Sequence, residues 1–214
     1  MALTGFDPSL VNGSINKVKN AYENLIQVLG DDMQNQFVEG MADKWACADA
    51  QNFFTNNFKP AIDNLIRSST TIFESVVSSM NSAGQAWATE QYETYSPVSF
   101  SAINKTIDTS SIRDSVGGLK GADLELTPAV VAKLSILEED AYNALLSAQQ
   151  AVQNSGFVGG DQQTNLINSL GTIKNNISIA MKDINADTKS AIDSTLQRYG
   201  NTGKRISQAF AAEG

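Results

Sequence analysis

Residues 7–40 read DPSLVNGSINKVKNAYENLIQVLGDDMQNQFVEG, and their spacing decides the fold. Apolar or aromatic residues stand at Val11, Ile15, Val18, Tyr22, Leu25, Leu29, Met33 and Phe37, in steps of three and four. That period gathers them on one side of an α-helix and offers a strand no buried face. Asp7 supplies a capping carboxylate. Pro8 suits the first helical position, where its missing N–H breaks no bond, and Gly40 suits the stop.

Working outward, a second stripe runs Phe54, Phe58, Ile62, Leu65, Ile72, Val76, Met80, Ala83 and Trp87, with Ser69 as its one polar step. Pro60 should kink or divide that helix. From Ser96 the pattern fails: Ser, Thr and Gly dominate, Val116-Gly117-Gly118-Leu119-Lys120-Gly121 punctuates the run, and the stretch reads as a connector with rapidly exchanging amides. Thr127-Pro128 then repeats the cap-and-proline opening. A third stripe follows through Val130, Leu134, Leu137, Ala141, Leu145, Ala148 and Val152, ending near Gln153. A fourth begins near Asp161 with Leu166, Leu170, Ile173, Ile177, Ala180, Ile184, Thr188, Ala191, Thr195 and Tyr199, and Gly200 marks its expected end. The organisation expected is a first hairpin over 1–95, a connector over 96–126, a second hairpin over 127–200 and a flexible tail over 201–214.

Two long hairpins, each with an apolar stripe, bury those stripes most simply against each other, so the expected class is all-α, a four-helix bundle. A parallel pair of hairpins needs only a short link between the second and third helices. An antiparallel pair makes the chain run back along the whole bundle, and about 31 residues can span up to ~100 Å. The long connector therefore favours antiparallel hairpins.

Composition narrows the chemistry. The 214 residues carry a net charge of -8, and residues 1–95 hold 5 basic and 11 acidic side chains against 10 and 12 in the rest. No basic cluster suited to nucleic acid or an anionic membrane occurs. No window approaches the ~20 apolar residues of a membrane span. Histidine is absent, which removes the commonest general base and metal ligand, and Cys47 stands alone, so neither a disulfide within the chain nor a thiolate metal cage can form. The carboxylate runs Asp31-Asp32 and Glu138-Glu139-Asp140 read as solvated helix faces, and Gly117-Gly118 lacks the strand and the Lys-Ser/Thr ending of a phosphate loop. No catalytic, cofactor-binding or metal-ligating residue is nominated.

The first turn reads Gly40-Met-Ala-Asp-Lys-Trp45-Ala-Cys47-Ala-Asp-Ala50-Gln-Asn-Phe53. With a helix of about thirty residues before it and a long helix after it, this segment resembles the Trp-x-Gly (WXG) family of helical hairpins exported by type VII secretion, the early secretory antigen family. The resemblance rests on the turn Trp45, the Ala-rich restart and the aromatic Phe53 eight positions on. Cys47 stands where the motif has Gly. In the second half Phe157-Val158-Gly159 keeps the Gly and replaces the Trp, and Asn165 stands where the later aromatic is expected. The family's Tyr-x-x-x-Asp/Glu export element is missing after every Tyr of this chain.

Family members commonly pair as antiparallel dimers, so the resemblance implies a fused dimer in one chain. It further implies a non-enzymatic secretion substrate or secretion partner working through helix surfaces, with Trp45, Cys47, Phe53, Phe157 and Gly159 as the recognition turn. The partners implied are a secretion ATPase and other WXG-like or effector proteins, with the chain a monomer or homodimer. Lacking a basic-then-apolar leader in this sequence, it is expected to be secreted without a cleaved signal peptide, or cytoplasmic before export. Trp45 is expected half buried, its free edge turned to a partner. The alternative reading is a helical structural or assembly protein, such as a phage or surface component.

Overall fold

Asp7 caps the first helix as the sequence requires, its Oδ1 accepting from the Ser9 and Leu10 backbone N–H groups at 2.9 and 3.4 Å. The computed structural model describes residues 7–123, 127–156 and 161–212. From the cap, α1 (Pro8–Gln27) runs into a π-helical stretch (Val28–Val38) and then α2 (Glu39–Ala42) without a break. The widening has a reason in the stripe. After Leu25 the apolar positions come at unbroken steps of four, Leu29, Met33, Phe37 and Met41, which in an α-helix of 3.6 residues per turn would drift round the surface by roughly 160°. The wider π turn holds all of them on one side, and all four are fully buried.

A short strand β1 (Trp45–Ala46) follows, and the second rod consists of α3 (Ala48–Phe53), a π-helical turn (Phe54–Phe58) and α4 (Lys59–Glu90). Ala50, Phe54, Phe58 and Ile62 again step by four, and all are buried. Pro60 cannot donate to Asn56 and crowds its carbonyl. The interruption expected there is the widened turn just before it, and the helix runs on.

The strand β2 (Gly121–Ala122) precedes α5 (Thr127–Gln153) and α6 (Asp161–Ala212). Of the tail expected over 201–214, residues 201–212 continue the last helix past Gly200, and 213–214 lie outside the described residues. Gly200 and Gly203 each cost a helix about 1 kcal/mol relative to Ala. Strong helix formers follow at Lys204, Arg205, Gln208 and Ala209, and the Thr202 hydroxyl donates to the Arg198 carbonyl at 2.9 Å inside the helix.

Among the described residues the fold is all-α apart from the two-residue pair β1–β2. The rods pack in a square, α1 on α5, α5 on α6, α6 on α3 and α4, and α4 back on α1. Their order fixes the orientation. Gly40 at the first turn faces Val130 at the start of α5, and Asp49 pairs with Arg198 late in α6 at 2.9 Å, whereas Gly156 at the second turn lies against Leu10 and Asn154 accepts from Ser14. The turns therefore sit at opposite ends, and the hairpins are antiparallel.

The segment expected as a loose connector is a strap laid along the groove between α1 and α4. It has almost no backbone ladder of its own, and helix side chains take the ladder's place. Asn81 pairs with both backbone groups of Val98, its Oδ1 accepting from the N–H and its Nδ2 donating to the carbonyl, each at 2.9 Å. Gln34 does the same for Asp108 at 2.9 Å in both bonds. Tyr22 Oη accepts from the Ile103 N–H at 2.8 Å, and Gln51 donates to the Ile112 carbonyl. Ile107 and Ile112 are buried in the core, and the Tyr95 ring lies so close over Gly84 that a Cβ there would come within 2.5 Å of it. These bonds replace the water that a solvated connector would use.

Candidate functional site

The first turn owes its shape to the strap's far end. Trp45 pairs with Ala122 and Ala46 with Gly121, antiparallel, and the Asp123 N–H donates to the Lys44 carbonyl at 2.6 Å. Gly121 holds φ of +153°, a backbone state that a side chain would strain. Cys47 is extended at the N-cap of α3, where its carbonyl accepts from Gln51.

This clamp drives the Trp45 indole inward. The residue is fully buried, and its Nε1 donates to Thr195 Oγ1 of α6 at 3.3 Å while that hydroxyl donates onward to the Ala191 carbonyl at 3.0 Å. The Phe53 and Phe54 rings lie 5.5 and 5.9 Å away, and Phe54 continues the cluster to Phe37 and Phe58 at 5.8 and 5.3 Å. The half-buried Trp45 expected from the sequence is thus corrected. Once β1 is tied to β2, no edge of the ring is left in solvent, and the polar N–H finds its partner inside the bundle.

Of the five nominated residues, Trp45, Cys47 and Phe53 come together as the packed heart of the turn, all of them buried. Phe157 and Gly159 lie outside the described residues. What the nomination missed is Thr195, which locks the first hairpin to the second. Its signal was present as a polar step in the fourth stripe. The surface above the cluster is polar: Asp43 is exposed, and the Asp49–Arg198 pair bridges the hairpins at the rim.

Elsewhere, Asp31 pairs with Lys105 of the strap at 2.7 Å, and Glu138 accepts from Ser178 at 2.9 Å. Both serve packing between segments. Gly117 and Gly118, with φ of +57° and +82°, form a tight turn closed by mutual bonds between Val116 and Leu119, so the glycines turn the chain. Among the described residues no cluster of His, Cys, Asp and Glu could hold a metal ion, and no helix is long and apolar enough to cross a membrane.

Where the strap crosses α4, a partly buried carboxylate network holds it. Asp63 is pushed up by burial but pulled further down by the Ile107 N–H at 2.9 Å, by Lys59 at 3.0 Å and by the Thr106 hydroxyl at 2.8 Å, so its pKa lies below the ordinary value. Lys59 also donates to the Ile107 carbonyl. Several grooves remain open along α6. One of about 350 Å³ lies against the start of α5, between Val131 and Ile192, and one of about 190 Å³ lies over Phe53 and Phe58 with Asp183 and Asp187 at its rim. Comparisons with protein families, with curated proteins and with solved structures return no match for this chain.

Proposed function

We propose that the chain is a non-enzymatic substrate or partner of a type VII-like secretion system, acting through its helix surfaces on a secretion ATPase or on other WXG-like or effector proteins. The observation that supports this reading is the pairing of two helical hairpins, antiparallel, within one chain and with Trp45 at the first turn. That arrangement is similar to two paired WXG units joined end to end. With the indole buried, recognition passes to the groups around it, and the polar rim at Asp43 and the Asp49–Arg198 pair is the surface a partner would meet. The assembly reading draws on a different observation, the long α6 that outruns its neighbour α5.

Mass spectrometry of culture medium from the native host, with its secretion ATPase present or deleted, tests the proposal. The expected result is extracellular protein with the ATPase and none without it. Undiminished extracellular protein in the deletion strain, or release only together with cytoplasmic markers, overturns the secretion reading and advances the assembly one.

A further inference from the structure

The first-hairpin rod that contains α4 has a groove on each side. On the α1 side lies the strap, and the way it is held shows what these helices recognise in another segment. Ile107 enters the core, while Asp63 at the edge accepts from the Ile107 N–H and the Thr106 hydroxyl and pairs with the Lys59 ammonium. Apolar side chain, carboxylate and cation are all satisfied within the chain.

On the α6 side comparable parts stand open. Ala61 of α4 and Ala180 of α6 bring only methyl groups to the seam, and the gap they leave, about 190 Å³, is floored by Phe53, Phe58 and Ile184. One wall is the π-helical turn Phe54–Phe58, a kind of turn that recurs at functional sites. Asp183 and Asp187, one helical turn apart, stand at the rim. Both are exposed, and neither has a hydrogen bond or an ion pair among the described residues.

The cations nearest in the fold are held elsewhere or turned away. Lys59 is bound to the strap, Arg67 to Asn64 and Arg198 to Asp49. On α6, Lys189 lines the groove shared with α5, and Lys182 stands roughly 100° round the helix from Asp183. Farther along the same seam, the next groove, between Ile72 and Leu166, is lined by apolar and hydroxyl side chains alone. The uncompensated charge is thus concentrated at one apolar gap, with room for a single long side chain.

Those features select an arginine. A long stem covers the apolar floor and leaves its cation at the rim. Side chains four apart on a helix have Cβ atoms about 5–6 Å apart. The planar fork of a guanidinium can donate to both carboxylates across that span, and its flat face suits a floor of phenyl rings, whereas an ammonium is a point charge. With a net charge of -8 the chain repels its own copies, so the arginine belongs to a different, basic protein.

We propose that the α4–α6 groove is a docking site for an arginine of a basic protein partner, its stem lying on Phe53, Phe58 and Ile184 and its guanidinium bridging Asp183 and Asp187. The site is independent of whether the chain is exported.

Two-dimensional NMR of the full chain, titrated to millimolar concentration with the acetylated and amidated tripeptide Ala-Arg-Ala, tests it. Saturable shifts should be confined to residues 53–61 and 180–187. The peptide with citrulline, the uncharged isostere of arginine, should bind at least about tenfold more weakly, and the lysine peptide should also bind more weakly than the arginine one. Asp183→Asn combined with Asp187→Asn, at exposed positions, should abolish the shifts with the thermal melt unchanged. Ala61→Trp, which fills the groove from the α4 side, should abolish them as well. Asp193→Asn, at an exposed position elsewhere on α6, should leave binding as it is. No saturable shifts in the wild type, equal binding of the citrulline or the lysine peptide, or binding that survives the double substitution overturns the proposal.

Discussion

In the first hairpin the apolar steps change at Leu25 from alternating four and three to unbroken fours, and the helix widens into π turns. In the second they keep alternating through Leu166, Leu170, Ile173 and Ile177, and the helix stays α throughout. The fillings differ too. Tyr22, Phe37, Trp45, Phe53, Phe54, Phe58 and Phe73 are buried in the first hairpin, while the second buries Leu, Ile, Val, Ala and Met and leaves Tyr142 and Tyr199 exposed. Only the first hairpin carries the strap. Helix type follows the exact period of the stripe, and the hairpin with the wider turns and larger rings is the one that needs a fifth segment over its groove.

The largest effect should come from Trp45→Ala. Deleting a fully buried Trp typically costs about 3 to 5 kcal/mol, and here the Thr195 bond to the other hairpin goes with it. Leu170→Ala, at a fully buried site of the second hairpin, should cost less, in the lower part of the 2 to 5 kcal/mol range for such truncations. Denaturant melts of both variants decide, and equal losses would break the contrast.

One substitution should change sign between the hairpins. Gly84→Ala drives a methyl into the Tyr95 ring and should destabilise by about 1 to 3 kcal/mol. Gly171→Ala meets only the Gln149 amide nitrogen at 3.2 Å, the far end of a flexible side chain that donates to the Ile167 carbonyl at 3.1 Å and need shift only a few tenths of an ångström, so helix propensity should win and stabilise by less than about 1 kcal/mol. In the Gly84→Ala, Tyr95→Ala double variant the collision is gone, so its cost should fall short of the sum of the singles.

A pH titration sharpens the contrast further. Because the folded-state pKa of Asp63 is lowered below its ordinary 3.8, the stability it lends is complete above that value and is lost as pH falls through the lower, folded one. Exchange protection along the strap should therefore hold from neutrality down to the ordinary carboxylate range and fail below it, ahead of protection in α5 and α6. The smallest effect belongs to Ser69→Ala. That hydroxyl is fully buried without a bonding partner, so its removal should leave the melting midpoint unchanged or slightly higher.

The four stripes, the two caps and the antiparallel order were legible because each is a local pattern or a length. The π turns were legible too, in the fours from Leu25 to Met41, although a stripe scored as threes and fours together conceals them. The strap was not. Its partners Asn81, Gln34 and Asp63 are polar residues on helices, and nothing in their own neighbourhoods tells that they face backbone 17 to 74 positions away rather than water. The buried state of Trp45 was hidden for the same reason, since it depends on β2 arriving from the end of that strap. At the end of α6 a local rule about glycine lost to the helix formers around it.

The most direct test of this account is amide hydrogen exchange along residues 95–112, because both the closed α1–α4 groove and the clamped first turn depend on the strap. The amides of Val98, Ile103, Ile107 and Asp108, each donating to a helix side chain, should exchange about as slowly as helix-core amides. Exchange at the rate of an unstructured chain, with the four helices still protected, would contradict it.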